Sequence, residues 1–386
     1  MSDVLFEIKE ENLETGMRGY PVGYCTTSNV DPVNGLFYSE IPLVDCVKKE
    51  PEEVIYLLYY GRQGSAEEVK EFSKALQKRA KLSGQVIDQI KLLPKNGHSM
   101  KLFCASLLIQ GMFQKTNDYK EDCLDIIAKA PELVATIINY HAGWGDTPTS
   151  KPELGYMENF TAMLNIPNKN TKELTEVFKL FNILHYDHGG GNLSTFVGKA
   201  VASSLEDMYG SMAAAMAALA GPRHGKANQD CLSFVKEILK ETGENATGTQ
   251  IEELIRTRLA NDQLVFGFGH AVLRVIDPRA VIFYDIANKK FANHPLVKIA
   301  SLLKSQGTKV LSENPKISNP YPNVDAISGV VLTASGFPYP EYFTILFGLS
   351  RIVGIAIQIV YERCDARGGK GTPLVRPEYI YKKKEA

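Results

Sequence analysis

Residues 342–361 read YFTILFGLSRIVGIAIQIVY, an almost unbroken apolar stretch with a single charge, Arg351, near its middle. Twenty such residues are long enough for a membrane-spanning helix, but a charge at the centre of a bilayer is costly. A buried helix of a globular protein is the better interpretation, with Arg351 paired or functional inside it. The stretch therefore predicts a helical core built around one buried cation.

The composition is that of an ordinary soluble enzyme. The chain has 386 residues, of which 23% are charged, and a formal net charge of -1. That length suffices for two packed units or for one large helical domain with a smaller one attached. The balanced charge disfavours nucleic-acid binding through a basic surface, so local arginines must bind any anionic ligand. The six cysteines contain no CxxC pair, which argues against a zinc ribbon or a redox pair.

Helix signals dominate the local patterns. Ser65 and Glu68 have the spacing of a capping box, and Asn170 and Glu173 resemble the same start signal. Residues 212–220 form an alanine–methionine run that predicts a helix, which another helix or subunit can approach closely. Strand signals are scarce, and residues 35–42 predict a small hairpin. Residues 1–12 are acidic and lack a targeting pattern, so we expect a cytoplasmic protein.

The first segment with chemical potential is HYDHGGGNLS, residues 185–194. The preceding helix has apolar residues at 174, 177, 178 and 181, and this spacing continues to His185 and His188. Both histidines should therefore point toward the core or a cleft. They are either hydrogen-bonded core histidines or functional groups. A metal site of His185, Asp187 and His188 is a third interpretation, although it lacks a recognised zinc spacing.

The second segment is GPRHGKAN, residues 221–228. Its glycine-flanked His224 can expose a ring nitrogen to a ligand. Arg223 and Lys226 should lower the pKa of His224, which favours a neutral imidazole. A structural role and a functional role are equally compatible with this segment alone.

Two further segments place a histidine and an aspartate near prolines, glycines and arginines. GFGHAVLR, residues 267–274, has Val272 where a dinucleotide fingerprint needs its third glycine, so its arginines suit carboxylates or phosphates better. NPYPNVD, residues 319–325, ends at Asp325 beside an apolar stretch, which should raise the pKa of this carboxyl and make it a usable base. The alternative interpretation is structural: Asp325 caps the N-terminus of the next helix.

Other catalytic motifs are not matched. The chain has no G-x-S-x-G elbow of a serine hydrolase. Gly369-Lys370 is followed by Gly371 rather than serine or threonine, so the phosphate-binding P-loop pattern is not met.

In this order, the four segments resemble the citrate synthase family. The family pattern is H-x-D-H…GGN-x-S, G-P-x-H-G-x-A-N, G-x-G-H-A-V-L-R…D-P-R and P-N-V-D, followed by F-G-x-S-R and R-P. The chain has the last two at residues 347–351 and 376–377, and residues 16–19 resemble an early G-M-R-G turn. The match spans almost the whole chain. The motif wording, especially GFGHAVLR, resembles the mitochondrial-type branch of the family more than the common bacterial one.

The resemblance implies an all-α fold, with a large helical domain from residues 1–225 and 337–386 and a smaller mobile domain from residues 226–336. It implies condensation of acetyl-CoA with oxaloacetate and hydrolysis of citryl-CoA to citrate and CoA, with no metal or redox cofactor. Asp325 would take a proton from the acetyl methyl, His224 would stabilise the enolate, and His270 would protonate the ketone oxygen. The remaining implied contacts are His188, Arg279, Arg351, Arg376 and Phe347 for oxaloacetate, Arg18, Arg274 and Asn323 for CoA, and Ser194 and Asn192 as supporting residues.

The resemblance also implies a homodimer in which Arg376 crosses to the partner subunit. Two departures bear on this expectation. The glycine-rich stretch 365–372 is longer than we expect for the mitochondrial-type branch, and residues 139–143 lack a further CoA-contacting arginine of the family. The alternatives are a 2-methylcitrate synthase that uses propionyl-CoA, a non-catalytic relative, and a metal-dependent lyase.

Overall fold

The computed structural model of the chain describes residues 4–167 and 170–384, and its regular structure is predominantly helical. The all-α prediction is therefore confirmed. The helices are α1 (Leu43–Cys46), α2 (Pro51–Tyr60), α3 (Ala66–Arg79), α4 (Gly84–Ile90), α5 (Ser99–Gln114), α6 (Tyr119–Ala142), α7 (Tyr156–Met163), α8 (Thr171–His185), α9 (Leu193–Ala202), α10 (Met208–Leu219), α11 (Ala227–Thr242), α12 (Gly248–Ala260), α13 (Pro278–Lys290), α14 (Pro295–Ser312), α15 (Asp325–Ala334), α16 (Phe343–Val360) and the short α17 (Ala366–Gly369). Short 3-10 turns lie at Glu10–Asn12 and Pro340–Tyr342, and a π-helical turn lies at Tyr361–Asp365.

Helix α16 lies at the centre of the fold. It packs against α6, α8, α9 and α10, and nearly all of its side chains are buried. By length and composition, the described run Pro340–Gly369 could cross a membrane, but 94% of its most apolar window is buried inside the protein. The predicted buried core helix is confirmed. Gly354 allows its close approach to the His185–His188 segment, because an added Cβ would lie 2.5 Å from the Tyr186 carbonyl oxygen.

The helix starts follow the local sequence signals. The Ser65 Oγ accepts from the Glu68 N–H at 3.3 Å, and a Glu68 carboxylate oxygen accepts from the Ser65 N–H at 2.8 Å. Asn170 caps α8 in a similar way, with its side-chain oxygen accepting from the Glu173 N–H. Both predicted start signals are confirmed.

A small antiparallel sheet precedes the first helix. Its strands are β1 (Ser28–Asp31), β2 (Gly35–Tyr38) and β3 (Ile41–Pro42), in the order β1-β2-β3. The predicted hairpin over residues 35–42 is the β2–β3 pair, and β1 was not predicted. The tight β1–β2 turn is closed by Asp31, whose carboxylate accepts from the Val33 and Asn34 N–H groups.

Helices α11 to α15 pack largely on one another, which fits a smaller unit in residues 226–336. Contacts also cross from this unit to the rest of the chain. The Arg274 N–H donates to the Pro32 carbonyl at 2.8 Å, and Lys290 on α13 forms an ion pair with Glu176 on α8. The division into two domains and the mobility of the smaller one stay predictions.

Candidate active site

His224 lies at the exit of α10, and its tautomer is fixed by its neighbours. The Ser194 N–H points at the His224 Nε2 at 3.3 Å, and the Ser194 Oγ lies 3.0 Å from the same nitrogen. Because a backbone N–H can only donate, Nε2 is the accepting nitrogen and Nδ1 carries the proton. Burial, followed by the charge of Arg351, lowers the pKa of His224 to about 4. His224 is therefore a neutral hydrogen-bond donor at physiological pH, as predicted, although Arg223 and Lys226 are not the cause.

His270 is also neutral, with the opposite tautomer. Its Nδ1 accepts from the backbone N–H groups of Val272 at 3.0 Å and Leu273 at 2.8 Å, so Nε2 carries the proton. Burial and the charge of Arg279 lower the pKa of His270 to about 4. The tight loop thus supplies a second neutral imidazole, whose Nε2–H has no hydrogen-bond partner among the described residues and can meet a ligand oxygen.

Asp325 is the first residue of α15, and the residue before the helix is Val324 rather than an aspartate cap. Burial raises the pKa of Asp325 to about 6, against the opposing effect of Arg279. Its carboxylate makes no ion pair with any residue that the structure describes. A carboxylate that is ionised at neutral pH, yet basic enough to accept a proton, is what a general base requires.

Asn323 connects Asp325 to the His270 loop. Its side-chain oxygen accepts from the Asp325 N–H at 3.0 Å, and its Nδ2 donates to the Gly269 carbonyl at 3.0 Å. The Asn323 N–H donates to the Gly267 carbonyl at 2.9 Å. Gly267 has φ +87, and an added Cβ would lie 2.8 Å from the Ala326 Cβ. Glycine at 267 is therefore needed to bring the His270 loop against the start of α15.

Arg351 is a buried cation without a carboxylate partner in the described chain. It is 2% exposed, its Nε donates to the His185 carbonyl at 2.9 Å, and its guanidinium lies 4.8 Å from the Phe347 ring centroid. Burial lowers the pKa of Arg351 to about 10, so it remains charged at neutral pH. A buried charge is costly unless something compensates it, so this guanidinium suits an anionic ligand.

Arg279 is buried beside Asp277, which orients it. The Nε and an Nη of Arg279 donate to the two Asp277 carboxylate oxygens at 3.0 and 2.8 Å. Burial opposes the charge of Arg279, but the ion pair raises its pKa above the ordinary value. The pKa values of His188, His270 and Asp325 all respond to the Arg279 charge, which places this cation among them.

His188 completes the cluster. Its ring centroid lies 5.2 Å from that of His270, and its Nε2 is buried without a hydrogen-bond partner among the described residues. Burial and the two arginine charges lower the pKa of His188 well below its ordinary value. Phe347 closes the other side, with its ring 6.2 Å from His224 and 5.2 Å from His185.

Asn192 holds two parts of the site together. Its side-chain oxygen accepts from the Ser194 Oγ at 2.9 Å, which orients the serine that contacts His224. Its Nδ2 donates to the Gly189 carbonyl at 2.9 Å, next to His188. The predicted supporting pair, Ser194 and Asn192, therefore contacts both histidine loops.

The family model for the citrate synthase C-terminal domain matches residues 16–378 of the chain. The chain belongs to the citrate synthase family. It is 36% identical to the mitochondrial citrate synthase 4 of Arabidopsis thaliana over 95% of this chain and 80% of that protein, and 34% identical to a probable mitochondrial citrate synthase of Glossina morsitans morsitans over 95% and 82%.

Solved structures of the family share the fold. The chain matches a ternary complex of carboxymethyl coenzyme A and oxaloacetate with the citrate synthase of Thermoplasma acidophilum, with a TM-score of 0.83, 26% identity and 97% coverage of both chains. It matches the citrate synthase of Thermotoga maritima with a TM-score of 0.81, 27% identity and 96% coverage of both chains. The predicted citrate synthase fold is confirmed.

Three arginines expected from the family resemblance are not gathered into the site of this subunit. Arg18 lies exposed in the turn at residues 16–19, and Arg376 lies exposed in the irregular segment after α17; neither forms a described hydrogen bond or ion pair with a site residue. Arg274 donates from one Nη to the carbonyls of His270, Val272 and Leu273. Their roles toward CoA and oxaloacetate stay predictions.

From the sequence, Asp187 is expected only as a possible metal ligand and Asp277 only as part of the D-P-R motif, and no motif indicates a role for Gln358. Asp187 is 0% exposed and accepts from Thr27, Ser28 and Gln358, and Asp277 holds Arg279. Asp277 lies only two positions from Arg279, within the D-P-R motif, whereas the Asp187 contacts join residues 159 to 171 positions apart. The His185 Nδ1 donates to the Phe181 carbonyl at 2.7 Å, so this nitrogen is not available as a metal ligand beside Asp187 and His188. No cluster of three potential metal ligands occurs in the described ranges.

Proposed function

We propose that the chain is a citrate synthase, which condenses acetyl-CoA with oxaloacetate and hydrolyses the citryl-CoA product to citrate and CoA. The observation that supports this activity best is the pair of neutral histidines with opposite tautomers, together with Asp325, whose pKa is about 6 and which Asn323 joins to the His270 loop. Formation of a carbon–carbon bond between a thioester methyl and a ketone needs a base for the methyl proton and donors for the two carbonyl oxygens, and these residues supply all three.

The first step is removal of a proton from the acetyl methyl by Asp325. As the enolate oxygen gains charge, the His224 Nδ1–H donates a hydrogen bond to it. A neutral imidazole is suited to this role because it stabilises the oxyanion without first giving up a proton to solvent. The Ser194 backbone N–H keeps the ring in the required tautomer by donating to Nε2.

The second step is attack of the enol carbon on the ketone of oxaloacetate. The His270 Nε2–H polarises the ketone oxygen and transfers its proton as the carbon–carbon bond forms. Arg351 and Arg279 meet the substrate carboxylates together with His188, while Phe347 packs beside the ligand. The site therefore offers cations to the oxaloacetate carboxylates, and a neutral imidazole and a carboxylate base to the thioester.

We further propose that Arg18, Arg274 and Asn323 contact CoA. The Arg274 guanidinium is available for this role if it exchanges its own loop carbonyls for a phosphate, which offers a stronger, charge-assisted hydrogen bond. Substitution of Arg274 by glutamine should raise KM for acetyl-CoA and leave oxaloacetate binding unchanged.

We propose a homodimer built on the outer face of α5 and α10. The two helices pack on each other, and α5 exposes Leu108, Met112 and Phe113, with Met112 78% exposed. Ala217 is exposed on α10, so small and apolar groups lie together. Such a face suits a second copy of the chain. Sedimentation of Ala217→Arg should show a shift toward monomer.

Arg376 is proposed to act in the partner's site, and complementation between two inactive variants tests this. Arg376→Ala and Asp325→Asn proteins are unfolded, mixed in equal amounts and refolded together. If Arg376 crosses between subunits, half of the dimers are mixed and each regains one intact site, which gives about one quarter of native activity under random pairing. If Arg376 serves its own subunit, the mixture stays inactive.

The decisive assay for the activity is release of free CoA thiol with oxaloacetate and each acyl-CoA. We expect kcat/KM to favour acetyl-CoA. A preference for propionyl-CoA would make the protein a 2-methylcitrate synthase, since one methylene is worth only about 1–3 kcal/mol of discrimination. No thiol release with either would favour a non-catalytic binding protein.

We propose that the reaction needs no metal or redox cofactor. Activity after dialysis against a chelator should equal that of the untreated protein, whereas a metal-dependent lyase would lose it. The cytoplasm stays our prediction for the location, and cell fractionation decides between it and the mitochondrion named for several relatives.

A further inference from the structure

A buried ion pair lies behind the triglycine loop that follows His188. The Lys199 Nζ lies 2.9 Å from a Glu362 carboxylate oxygen, and the two side chains are only 10% and 11% exposed. Neither residue belongs to the motifs of the sequence analysis. Lys199 is on α9, whose first turn carries Ser194, and Glu362 lies in the π-helical turn after α16.

Lys199 also contacts Gln358 and thereby fixes the orientation of its amide. The Lys199 Nζ donates to the Gln358 Oε1 at 3.5 Å, while the Gln358 Nε2 donates to the two Asp187 oxygens at 2.9 and 3.1 Å. In the opposite amide orientation, the Gln358 carbonyl oxygen would face the Asp187 carboxylate and the Gln358 NH2 group would face the Lys199 ammonium. Lys199 therefore selects the orientation in which Gln358 can hold Asp187.

Asp187 and Gln358 hold the backbone that carries His188. The Ser28 Oγ donates to Asp187 at 2.9 Å and accepts from the Gly189 N–H at 2.7 Å. The Gln358 Nε2 also lies 3.4 Å from the Gly189 carbonyl. A displacement of the Gln358 amide is thus passed directly to the residue after His188.

Gly190 provides independent evidence that the loop rests on this pair of side chains. A Cβ added at Gly190 would lie 3.1 Å from the Lys199 Nζ and 3.2 Å from the Gln358 Oε1. The loop backbone therefore packs directly over the Lys199–Gln358 contact.

We infer that Lys199 is a positioning residue for oxaloacetate, acting through Gln358 and Asp187 on His188. This inference rests on the proposed function, because it takes His188 as an oxaloacetate contact. Lys199 touches no reacting atom; it fixes the loop that presents the His188 Nε2. Its loss should weaken oxaloacetate binding more than it slows the chemical step.

The competing view is that Lys199 and Glu362 only stabilise the fold. Two variants separate the views. Lys199→Met leaves Glu362 buried without its partner, whereas Lys199→Met/Glu362→Leu removes both charges and should recover much of the lost thermal stability. Gln358 lacks its contact with Lys199 in both variants. Lys129→Met is the matched control, because Lys129 forms a comparably buried pair with Asp125, on α6, at 2.7 Å.

The measurements are Tm, KM for oxaloacetate, kcat, and oxaloacetate binding by calorimetry. We expect KM and Kd for oxaloacetate to rise about 10-fold in Lys199→Met and in the double variant, with kcat within about 2-fold. Lys129→Met should lower Tm alone. Native oxaloacetate affinity in the double variant would overturn the inference, since it would show that the pair only stabilises the fold.

Gly190→Ala keeps the test decisive if Lys199→Met does not fold. Its added methyl would lie 3.1 and 3.2 Å from the ends of the Lys199 and Gln358 side chains, which must shift by a few tenths of an ångström with no charge removed, and KM for oxaloacetate should rise. An unchanged KM would overturn the inference. Absence of thiol release by the native protein would instead refute the proposed function, and calorimetry with oxaloacetate would still test the Lys199 contact.

Discussion

The pH dependence of turnover follows from the three groups placed at the reacting atoms. Asp325 must be ionised to accept a proton, and its pKa is raised to about 6. His224 and His270 must be neutral, and their pKa values are lowered to about 4. Between pH 5 and pH 8 both histidines keep their functional form, so Asp325 alone should shape the acidic limb of the profile.

The magnitude can be worked out directly. With a pKa of about 6, roughly 90% of Asp325 is ionised at pH 7 and about 10% at pH 5. The value of kcat/KM for acetyl-CoA should therefore fall about 10-fold between these pH values. An aspartate with the ordinary pKa of about 3.9 would lose less than about a tenth of its ionised form over the same range.

The assay is thiol release at saturating oxaloacetate, measured at half-unit steps from pH 5 to pH 8. Activity re-measured at pH 7.5 after incubation at each pH controls for denaturation. A single-proton limb with a midpoint near 6 is expected. A flat profile down to pH 5 would refute the assignment of Asp325 as a base whose pKa is raised by burial.

Three further predictions concern the same site. Asp325→Asn should stabilise the fold at pH 7 by about 1–3 kcal/mol, because the pKa of Asp325 is raised in the folded protein and its ionisation lowers the free energy of unfolding as pH rises from about 4 to 6. Thermal melts should show the gain at pH 7 and not at pH 4. A lower Tm than the native protein at pH 7 would contradict this prediction. Ser194→Ala should lower kcat about 5- to 10-fold with little change in Tm, since it removes the hydroxyl that lies 3.0 Å from the His224 Nε2 and donates to Asn192, while the backbone N–H bond to Nε2 remains. Steady-state kinetics would show an unchanged kcat if the hydroxyl did not help to position His224. Gly267→Ala should lower kcat by about 100-fold by displacing the His270 loop, whereas Gly61→Ala, which has a similar positive φ but open space, should lose stability alone.

The sequence predicted the helical core and the catalytic loops because these depend on local or strongly patterned features. The stretch around Arg351 is apolar on all sides, so its burial could be predicted without any contact. The capping boxes are contained within four residues. His224, His270 and Asp325 could be recognised only through the register of several motifs, because each short segment also fits a structural role.

The remaining features depend on contacts between distant parts of the chain. The lowered pKa of His224 was predicted in the right direction, but from the adjacent Arg223 and Lys226. The structure attributes it to burial and to Arg351, which is 127 positions away. The sequence likewise gave no indication that Gln358 would meet Asp187, or that Lys199 would meet Glu362, because no local pattern pairs these residues.

The central claim, that Asp325 is the base of a condensing site which binds oxaloacetate separately, is tested most directly by Asp325→Asn. The substitution preserves the size of the side chain and removes its basicity. Oxaloacetate binding by calorimetry should stay within about 3-fold of the native value, while thiol release falls by at least about 1000-fold. Turnover near the native rate in a protein that still binds oxaloacetate would contradict the account.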